Sequence, residues 1–479
     1  MPASAFDSFY LRDRYGSAAM RAIWDDRATI GRWLEVEAAL AATEADLGIV
    51  PRAAAREIAS RARVELLDLP SMKREFDVTW NPVMPLVNAL RAVLTPRSAR
   101  WVHWGATSKN IIDTGTALQL KDTYDVVLAE LDTTADLLAE LARRHRDTLM
   151  AGRTHGQHAL PVTFGYKCAV WLEEVRRQRD RLEGSRSRVL VGEFGGAVGT
   201  LASLGRKGLQ VQARLMKRLG LGVPLIPSKT AGDRFAEFFI LLGMLSATLG
   251  KIGQEIYNLQ QTDIDEVTEF VEGKVGSSAM PHKLNPVCSG SVLLVGRLLR
   301  ARMTLAFEYI HCEWEDDHRQ GELAWAFAPE VCLLMGAQLV LARRLLSSLV
   351  VKPAHMLRNL ERAGGTVLSE ALMMALAPRV GRDRAHQLVL EMSRQALTGT
   401  PFRDVVTAHP EVKKALSPRR LAGVLDYRRS LGLAGYFVDR VLAMHDGERR
   451  RRSGGPVHGR RLRRRAARGR VRGRRGRSR

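Results

Sequence analysis

Cysteines, aromatic residues and long apolar runs are all scarce in this chain of 479 residues. The four cysteines form no CxxC pair, so we expect neither a disulfide framework nor a cysteine-based zinc site. Free thiols in a reducing cytoplasm are the simplest account of them. We find no uninterrupted stretch of about 18 apolar residues and no basic start followed by an apolar run, the pattern of a secretion signal. These absences predict a cytoplasmic protein without a membrane span.

Aromatic residues make up 6% of the chain and hydrophobic residues 46%, so the core has to be built from Ala, Leu and Val, which favours packed helices. Residues 116–151 contain neither Gly nor Pro and carry apolar residues at helical spacing, which predicts a rod of roughly 50 Å. Further long helical patterns cover 166–183, 254–272 and 297–320. We predict an all-α fold with an elongated central helical bundle flanked by two smaller helical domains. The predicted boundaries are an N-terminal helical domain at 1–105, the bundle at 106–350, a C-terminal helical domain at 351–446 and a tail at 447–479.

The net charge of +23 is concentrated at the end of the chain. Residues 449–479 contain sixteen arginines and no acid, which leaves +7 for the other 448 residues. Such a segment has too few apolar residues to offset its ordering entropy, so disorder is expected. Arginine-rich tails can bind nucleic acid, but no aromatic residue is interleaved here, and a dispensable extension is the favoured interpretation.

One loop concentrates most of the potential chemistry. Gly273 and Gly276 lead into it, and Pro281 and Pro286 prevent a helix from running through residues 273–286. This loop carries two hydroxyls, one cation and one amide, from Ser277, Ser278, Lys283 and Asn285. A surface loop could carry a lone Gly-Ser-Ser without any function, but here the specified positions read GSSxMPxKxNP.

Two other segments offer polar groups at turns. At 101–115, His103 precedes Thr107 and Ser108, whose hydroxyls come just before a helix with free N–H groups that suit a carboxylate; an ordinary N-cap is the alternative. At 152–165, the run Thr154-His155-Gly156-Gln157 leads to His158. That histidine spacing could bind a metal on a helix, but Gly156 argues against a helix and no third ligand is near, so no metal is expected.

These three segments resemble the signature regions of the fumarase/aspartase superfamily, which read HxGxTSxD, THGQxAxPxTxG and GSSxMPxKxNP. The run NPVMPLV at 81–87 resembles carboxymuconate cycloisomerases, and we find no Thr-x-His-Asp segment of the kind that adenylosuccinate lyases carry. Asp233 and Arg234 also match the family. Three positions depart from it: Asn110 replaces an acid, and Gly232 and Asp316 replace basic residues that help hold the substrate.

The resemblance implies a lyase that removes a proton next to a carboxylate and completes a β-elimination, or the reverse addition, on a succinyl-like or polycarboxylate substrate, releasing fumarate or a related unsaturated acid. Ser277 is then the catalytic base, and His155 the proton donor. The implied substrate contacts are His103, Thr107, Ser108, Thr154, Gln157, Arg234, Ser278, Lys283 and Asn285. No cofactor is implied. The family's active sites are shared between protomers of a homotetramer, which fits the helical rod that separates the first two segments.

The substrate stays open at this point. The candidates are 3-carboxy-cis,cis-muconate, adenylosuccinate, or a secondary metabolite with an amine or nitro leaving group, and a cycloisomerase-like lyase is favoured. The non-enzyme alternative is a helical scaffold that binds nucleic acid through its Arg-rich tail, with an affinity that falls steeply with salt.

Overall fold

The computed structural model describes residues 4–269, 277 and 279–453. Within these residues the regular structure is mainly helical, with two small two-stranded sheets. The helices of the first half are α1 Ala18–Trp24, α2 Asp26–Asp46, α3 Arg52–Arg61, α4 Leu69–Thr79, α5 Val83–Ala92, α6 Pro96–Ala99, α7 Ser108–Arg144, α8 Phe164–Val189, α9 Arg206–Leu219 and α10 Asp233–Leu259. Those of the second half are α11 Val287–Arg300, α12 Met303–Glu308, α13 His318–Ser347, α14 Pro353–Glu361, α15 Ser369–Val380, α16 Arg382–Leu397, α17 Phe402–Ala408, α18 Pro410–Ala415, α19 Pro418–Val424 and α20 Ala434–Ser453. The strands are β1 Leu149–Thr154, β2 Gln157–Thr163, β3 Val267–Glu269 and β4 Leu349–Val351.

The long helix α7 is the axis of the molecule. Its 37 residues correspond to roughly 55 Å, and it packs against α2, α8 and α13. α10 in turn packs against α8, α11 and α13, so the central bundle predicted from the helical patterns is present. Residues of α2, α3 and α5 belong to the same hydrophobic cluster as the bundle. The N-terminal helices therefore share one continuous core with it.

Two of the long helical patterns are interrupted in the structure. The predicted helix over 254–272 is wrong beyond Leu259, where α10 ends; β3 then pairs antiparallel with β4, Val267 opposite Val351. The predicted helix over 297–320 is divided among α11, α12 and the start of α13. The loop before α13 is held by Gln320, whose Nε2 donates to the Tyr309 carbonyl over 2.9 Å. Both breaks depend on partners distant in sequence, which local periodicity does not contain.

Two helices, α10 and α13, are long and apolar enough to cross a membrane by length and composition. The sequence analysis predicted no membrane span. In the fold, 67% of the apolar window of α10 and 56% of that of α13 are buried inside the chain. Both helices pack against α11 and against each other. Their apolar character is thus accounted for by the interior of the bundle.

The C-terminal helices form a second, separate hydrophobic cluster between Leu360 and Leu425. The last helix, α20, returns to pack against α7 and α8 and continues past residue 447 to Ser453. The disorder predicted for the tail is therefore wrong for 447–453. Arg176 pairs with Glu448 here, and Arg452 bonds Asp132 over 2.6 Å. The remaining part of the predicted tail, 454–479, lies outside the described residues.

Candidate active site

Side-chain hydrogen bonds of Thr107 and Asn110 stabilise the start of α7. Thr107 is the N-cap, with extended backbone at φ −127°. The Oδ1 of Asn110 accepts hydrogen bonds from the backbone N–H of Thr107 and of Gly196, both over 3.1 Å. The amide oxygen of Asn110 therefore accepts the backbone hydrogen bonds that a carboxylate at this position could accept. The departure from the family at Asn110 leaves this turn intact. Ser108 Oγ lies 3.3 Å from the side-chain amide of Asn81.

Asn81 was not singled out as a site residue by the sequence. Besides meeting Ser108, its Oδ1 accepts from the N–H groups of Val83 and Met84, each over 3.0 Å, and so caps α5. The Asn-Pro pair ahead of an apolar helix was the available signal for the cap. Its contact with Ser108 spans 27 residues of sequence and has no local signature.

His103 lies in the turn that leads into α7. Its Nδ1 is 2.6 Å from Oε1 of Glu37, a residue of α2 whose side chain is 1% exposed. The backbone of His103 has φ 64°, in the left-handed region that is uncommon for residues other than glycine. His103 is thus anchored in the turn before Thr107 by Glu37, a partner that was not predicted from the sequence.

The second predicted segment is a β-hairpin. β1 and β2 pair antiparallel, with Thr154 opposite Gln157, so His155 and Gly156 form a two-residue loop. Both have positive φ, 52° and 77°, as in the type I′ turns that suit a hairpin. The side chains of Thr154, His155 and Gln157 are exposed at its tip.

A buried ion pair holds the hairpin next to its tip, where Arg153 stands opposite His158. Arg153 donates from both guanidinium nitrogens to Glu266, over 3.0 and 2.6 Å. Glu266 is fully buried and also accepts from Asn359 of α14 over 3.0 Å. Because Glu266 directly precedes β3, this pair joins the tip end of the histidine hairpin to the segment that leads toward the serine loop.

The serine loop is described in part. Ser277 Oγ accepts hydrogen bonds from the backbone N–H groups of Ala279 and Met280, over 3.2 and 3.1 Å. Donors to an oxygen favour its charged form, so this arrangement suits a hydroxyl that has to lose a proton. Lys283 is exposed and Asn285 is half-buried. Ser278, also predicted to contact substrate, lies outside the described residues.

A cluster of buried charges lies beneath the start of α7. Lys109 Nζ is 3.5 Å from Asp113 Oδ1, and burial raises the pKa of Asp113. Burial also raises the pKa of Glu193 to about 7. Within the described part of the chain, its Oε1 has no hydrogen-bond partner. Arg234, a predicted substrate contact, lines a cavity of about 30 Å³ together with these two acids. Arg234 therefore faces the interior cluster at this end of the bundle.

The two remaining departures from the family pattern have physical explanations. A Cβ added at Gly232 would lie 2.4 Å from the Tyr309 carbonyl oxygen and 2.8 Å from Gln320 Nε2, so no arginine side chain fits there. Asp316 accepts from Lys229 over 2.7 Å. Lys229 is almost completely buried, whereas Asp316 is half-exposed. The cation Lys229 therefore still lies close to position 316, and Asp316 neutralises its charge.

The described chain does not bring the predicted residues into one place. Thr107 and Ser108 lie at the start of α7, whereas the hairpin of His155 follows its end, roughly 55 Å away along the helix. The residues of the first segment do come together with Asn81 and the buried cluster. No group of three or more His, Cys, Asp or Glu residues that could hold a metal ion is found in the described ranges.

Comparison with known proteins identifies the family. The family model described as "Lyase" matches residues 14–297, and that of the "Adenylosuccinate lyase C-terminus" matches 365–441. The chain is a member of the fumarase/aspartase lyase superfamily. This lyase therefore carries out the chemistry that its motifs predicted, a β-elimination or the reverse addition on a succinyl-like substrate. The predicted helical fold and the predicted enzyme class are confirmed, and the scaffold alternative is not supported.

Individual relatives are similar over nearly the whole lyase. An N-acetyl-S-(2-succino)cysteine lyase of Enterococcus italicus is 40% identical, with 92% of this chain and 98% of that protein covered. An adenylosuccinate lyase of Methanothermobacter thermautotrophicus is 38% identical, with 90% and 97% covered. The crystal structure of the 3-carboxy-cis,cis-muconate lactonizing enzyme of Pseudomonas putida superposes with a TM-score of 0.86 at 38% identity, covering 91% of this chain and 99% of that one. Similar proteins are thus named for three different substrates.

Proposed function

We propose that the lyase releases fumarate from a 2-succinyl conjugate in the cytoplasm, using active sites that are each assembled from several protomers of a homotetramer. The observation that carries this proposal is the position of the polar segments at opposite ends of α7. Functional groups at opposite ends of one long helix can act together if another copy of the chain brings the complementary end to them.

In the proposed mechanism Ser277 removes the proton next to a substrate carboxylate. Serine is a weak base at its ordinary pKa and has to be activated. The two backbone N–H groups that donate to Ser277 Oγ favour its deprotonated form, and the nearby ammonium of Lys283 in the same loop adds positive charge. Negative charge then develops on the substrate carboxylate. Removing one donor to such a charge commonly costs about 10²–10³ in rate.

The other substrate carboxylate is proposed to bind at the start of α7. The Ser108 hydroxyl, the Asn81 amide that it meets and the positive end of the helix dipole all favour an anion there. His155, supplied by another protomer, donates a proton to the departing group; help of this kind is typically worth about 10²–10⁴. Thr154 and Gln157 flank it at the hairpin tip and orient the substrate.

The leaving group is proposed to occupy an apolar cavity of about 480 Å³ beside this carboxylate site. Pro82, the neighbour of Asn81, lines the cavity together with Trp24, Trp33 and Trp325. Ligand pockets are usually apolar with a few polar groups that fix orientation. Lys73 and Gln119 add polar groups to this mostly apolar lining. A thioether conjugate of amino-acid size suits such a lining, as in the substrate named for the Enterococcus italicus relative.

The test is to incubate the purified full chain with N-acetyl-S-(2-succino)cysteine, adenylosuccinate and 3-carboxy-cis,cis-muconate, and to follow fumarate or lactone formation. Fumarate from the first substrate, at the highest kcat/KM, is expected. Ser277→Ala should abolish that activity, whereas Ser60→Ala, on the exposed face of α3, should leave it unchanged. Turnover of none of the three, or full activity in Ser277→Ala, would contradict the proposal.

A further inference from the structure

The His103 imidazole is held by a buried carboxylate for which the mechanism so far has no use. Nδ1 of His103 and Oε1 of Glu37 are 2.6 Å apart, which is short for a hydrogen bond between nitrogen and oxygen. Glu37 has 1% of its side chain exposed and His103 has 15%. A buried carboxylate needs a partner, and within the described part of the chain this ring is the one to which Glu37 forms a side-chain hydrogen bond.

The position of the ring in the backbone is also unusual. His103 has φ 64°, and Gly105, two residues later, has φ 69°. A Cβ at Gly105 would approach Leu204 to 2.9 Å, so this turn is tightly packed. Backbone strain of this kind persists where the surrounding structure over-determines it, and it clusters at functional sites. The turn ends at Thr107, so the strained histidine directly precedes the proposed carboxylate site.

The hydrogen bond sets which ring nitrogen carries a proton. An ionised carboxylate only accepts hydrogen bonds, so Nδ1 carries the N–H that donates to Glu37. Nε2 is then the edge of the ring that is free to meet another molecule, because no other hydrogen bond to the ring is found among the described residues. Fixing one nitrogen of a histidine in this way fixes the tautomer and the orientation of the other.

We propose that Glu37 is a positioning residue for the elimination, acting through His103, which it holds with Nε2 turned toward the substrate at the start of α7. This inference rests on the proposed function and adds a second histidine to it. His155 reaches the site from another protomer, whereas the pair of His103 and Glu37 comes from the same chain as Thr107 and Ser108.

Glu44 provides a matched control on the same helix. It lies seven residues after Glu37, so both acids occupy the same side of α2. Glu44 is fully buried as well, but neither of its carboxylate oxygens has a hydrogen-bond partner among the residues that the structure describes. Replacing each acid by glutamine makes the same chemical change in the same helix, and only one of the two changes touches His103.

The experiment compares Glu37→Gln, His103→Gln and the double variant with Glu44→Gln, using the substrate that the wild-type enzyme turns over best. Glutamine can present its N–H₂ to Nδ1 and so favour the other tautomer. We expect kcat/KM to fall about 10–100-fold in Glu37→Gln, as is usual when the partner that orients a histidine is lost. The double variant should be no slower than His103→Gln alone, because Glu37 acts only through that ring. Glu44→Gln should keep wild-type kinetics.

Separate measurements distinguish positioning from a structural role. Glu37→Gln and His103→Gln should change the same kinetic constant, kcat or KM, and leave the other within about twofold. Circular dichroism and thermal midpoints show whether each variant folds, and His103→Gln tests the ring if Glu37→Gln does not fold. Losses that multiply in the double variant, or a Glu37→Gln enzyme that keeps wild-type kcat/KM, would overturn the inference. A wild-type enzyme that turns over no substrate would instead contradict the proposed function.

Discussion

Mixing two inactive variants should restore activity if active sites are shared between protomers. The first variant is Thr107→Val with Ser108→Ala, which removes both hydroxyls at the start of α7. The second is His155→Asn, which removes the imidazole at the hairpin tip. Each homo-oligomer should be inactive, because every site then lacks the same group.

The expected recovery follows from the geometry. α7 has 37 residues and a length of roughly 55 Å, so we expect the two groups of one site to come from different chains. In a randomly mixed oligomer with equal amounts of both variants, each of the two groups is intact in half of the positions. About one quarter of the sites should therefore have both groups and work at the wild-type rate.

The assay is to unfold the two proteins together, refold them, and compare fumarate release per site with that of refolded wild type. Each variant refolded alone is the control, and mixing without unfolding should restore activity only as fast as protomers exchange. Sedimentation should show the same assembly, expected to be a tetramer, in every sample. A mixed sample that assembles normally but recovers no activity would refute sharing between protomers and place both groups in one chain.

Three further predictions concern stability. Burial, followed by the charge of Glu37, raises the pKa of Glu44 from 4.5 to about 8, so the folded state binds an extra proton between those values. The free energy of unfolding should then fall as pH rises from 4.5 to 8, by up to roughly 4 kcal/mol, and Glu44→Gln should remove that slope in urea titrations at several pH values. Glu266→Gln should leave Arg153 without its carboxylate partner and lower the free energy of unfolding by about 3–5 kcal/mol. Asp446→Asn breaks an exposed pair and should change the free energy of unfolding by less than about 1 kcal/mol. Equal effects of the two variants would contradict this prediction. Truncation after Ser453 should leave activity and thermal midpoint unchanged, and a loss of activity in this variant would show that the arginine tail matters. Truncation after Asp446 removes the ion pairs at the end of α20 and should lower the thermal midpoint.

The parts of the fold that could be predicted from sequence are those encoded locally. α7 follows from a long run without proline and with regularly spaced apolar residues, and its start follows from a Thr-Ser pair that caps a helix. The turn at His155 was expected because Gly156 disfavours a helix. By contrast, β3 exists because residues 267–269 pair with 349–351, about 80 residues later, and nothing in 254–272 itself signals that pairing.

The candidate site was predictable to a similar extent and for the same reason. Thr107, Ser108 and His155 stand in short motifs whose order is informative. Glu37 and Asn81 stand in no such motif, because their contacts with His103 and Ser108 span 66 and 27 residues of sequence. Glu37 lies in the interior of α2 among apolar residues, where an acid is unusual, and that was the one local sign that it had a partner.

The two site histidines share a feature that argues for function rather than folding. His103 and His155 both have positive φ, a conformation that costs an L-residue about 1 kcal/mol or more and costs glycine little. In each case a glycine with positive φ stands close by in the same turn, at 105 and at 156, so the sequence uses glycine where only the backbone matters. The turn at His155 does not need an imidazole in order to form, since this ring is exposed at a hairpin tip. At His103 the bond to the buried Glu37 offsets part of the cost of the positive φ, whereas at His155 that cost is best explained by the proton transfer that we propose for its ring.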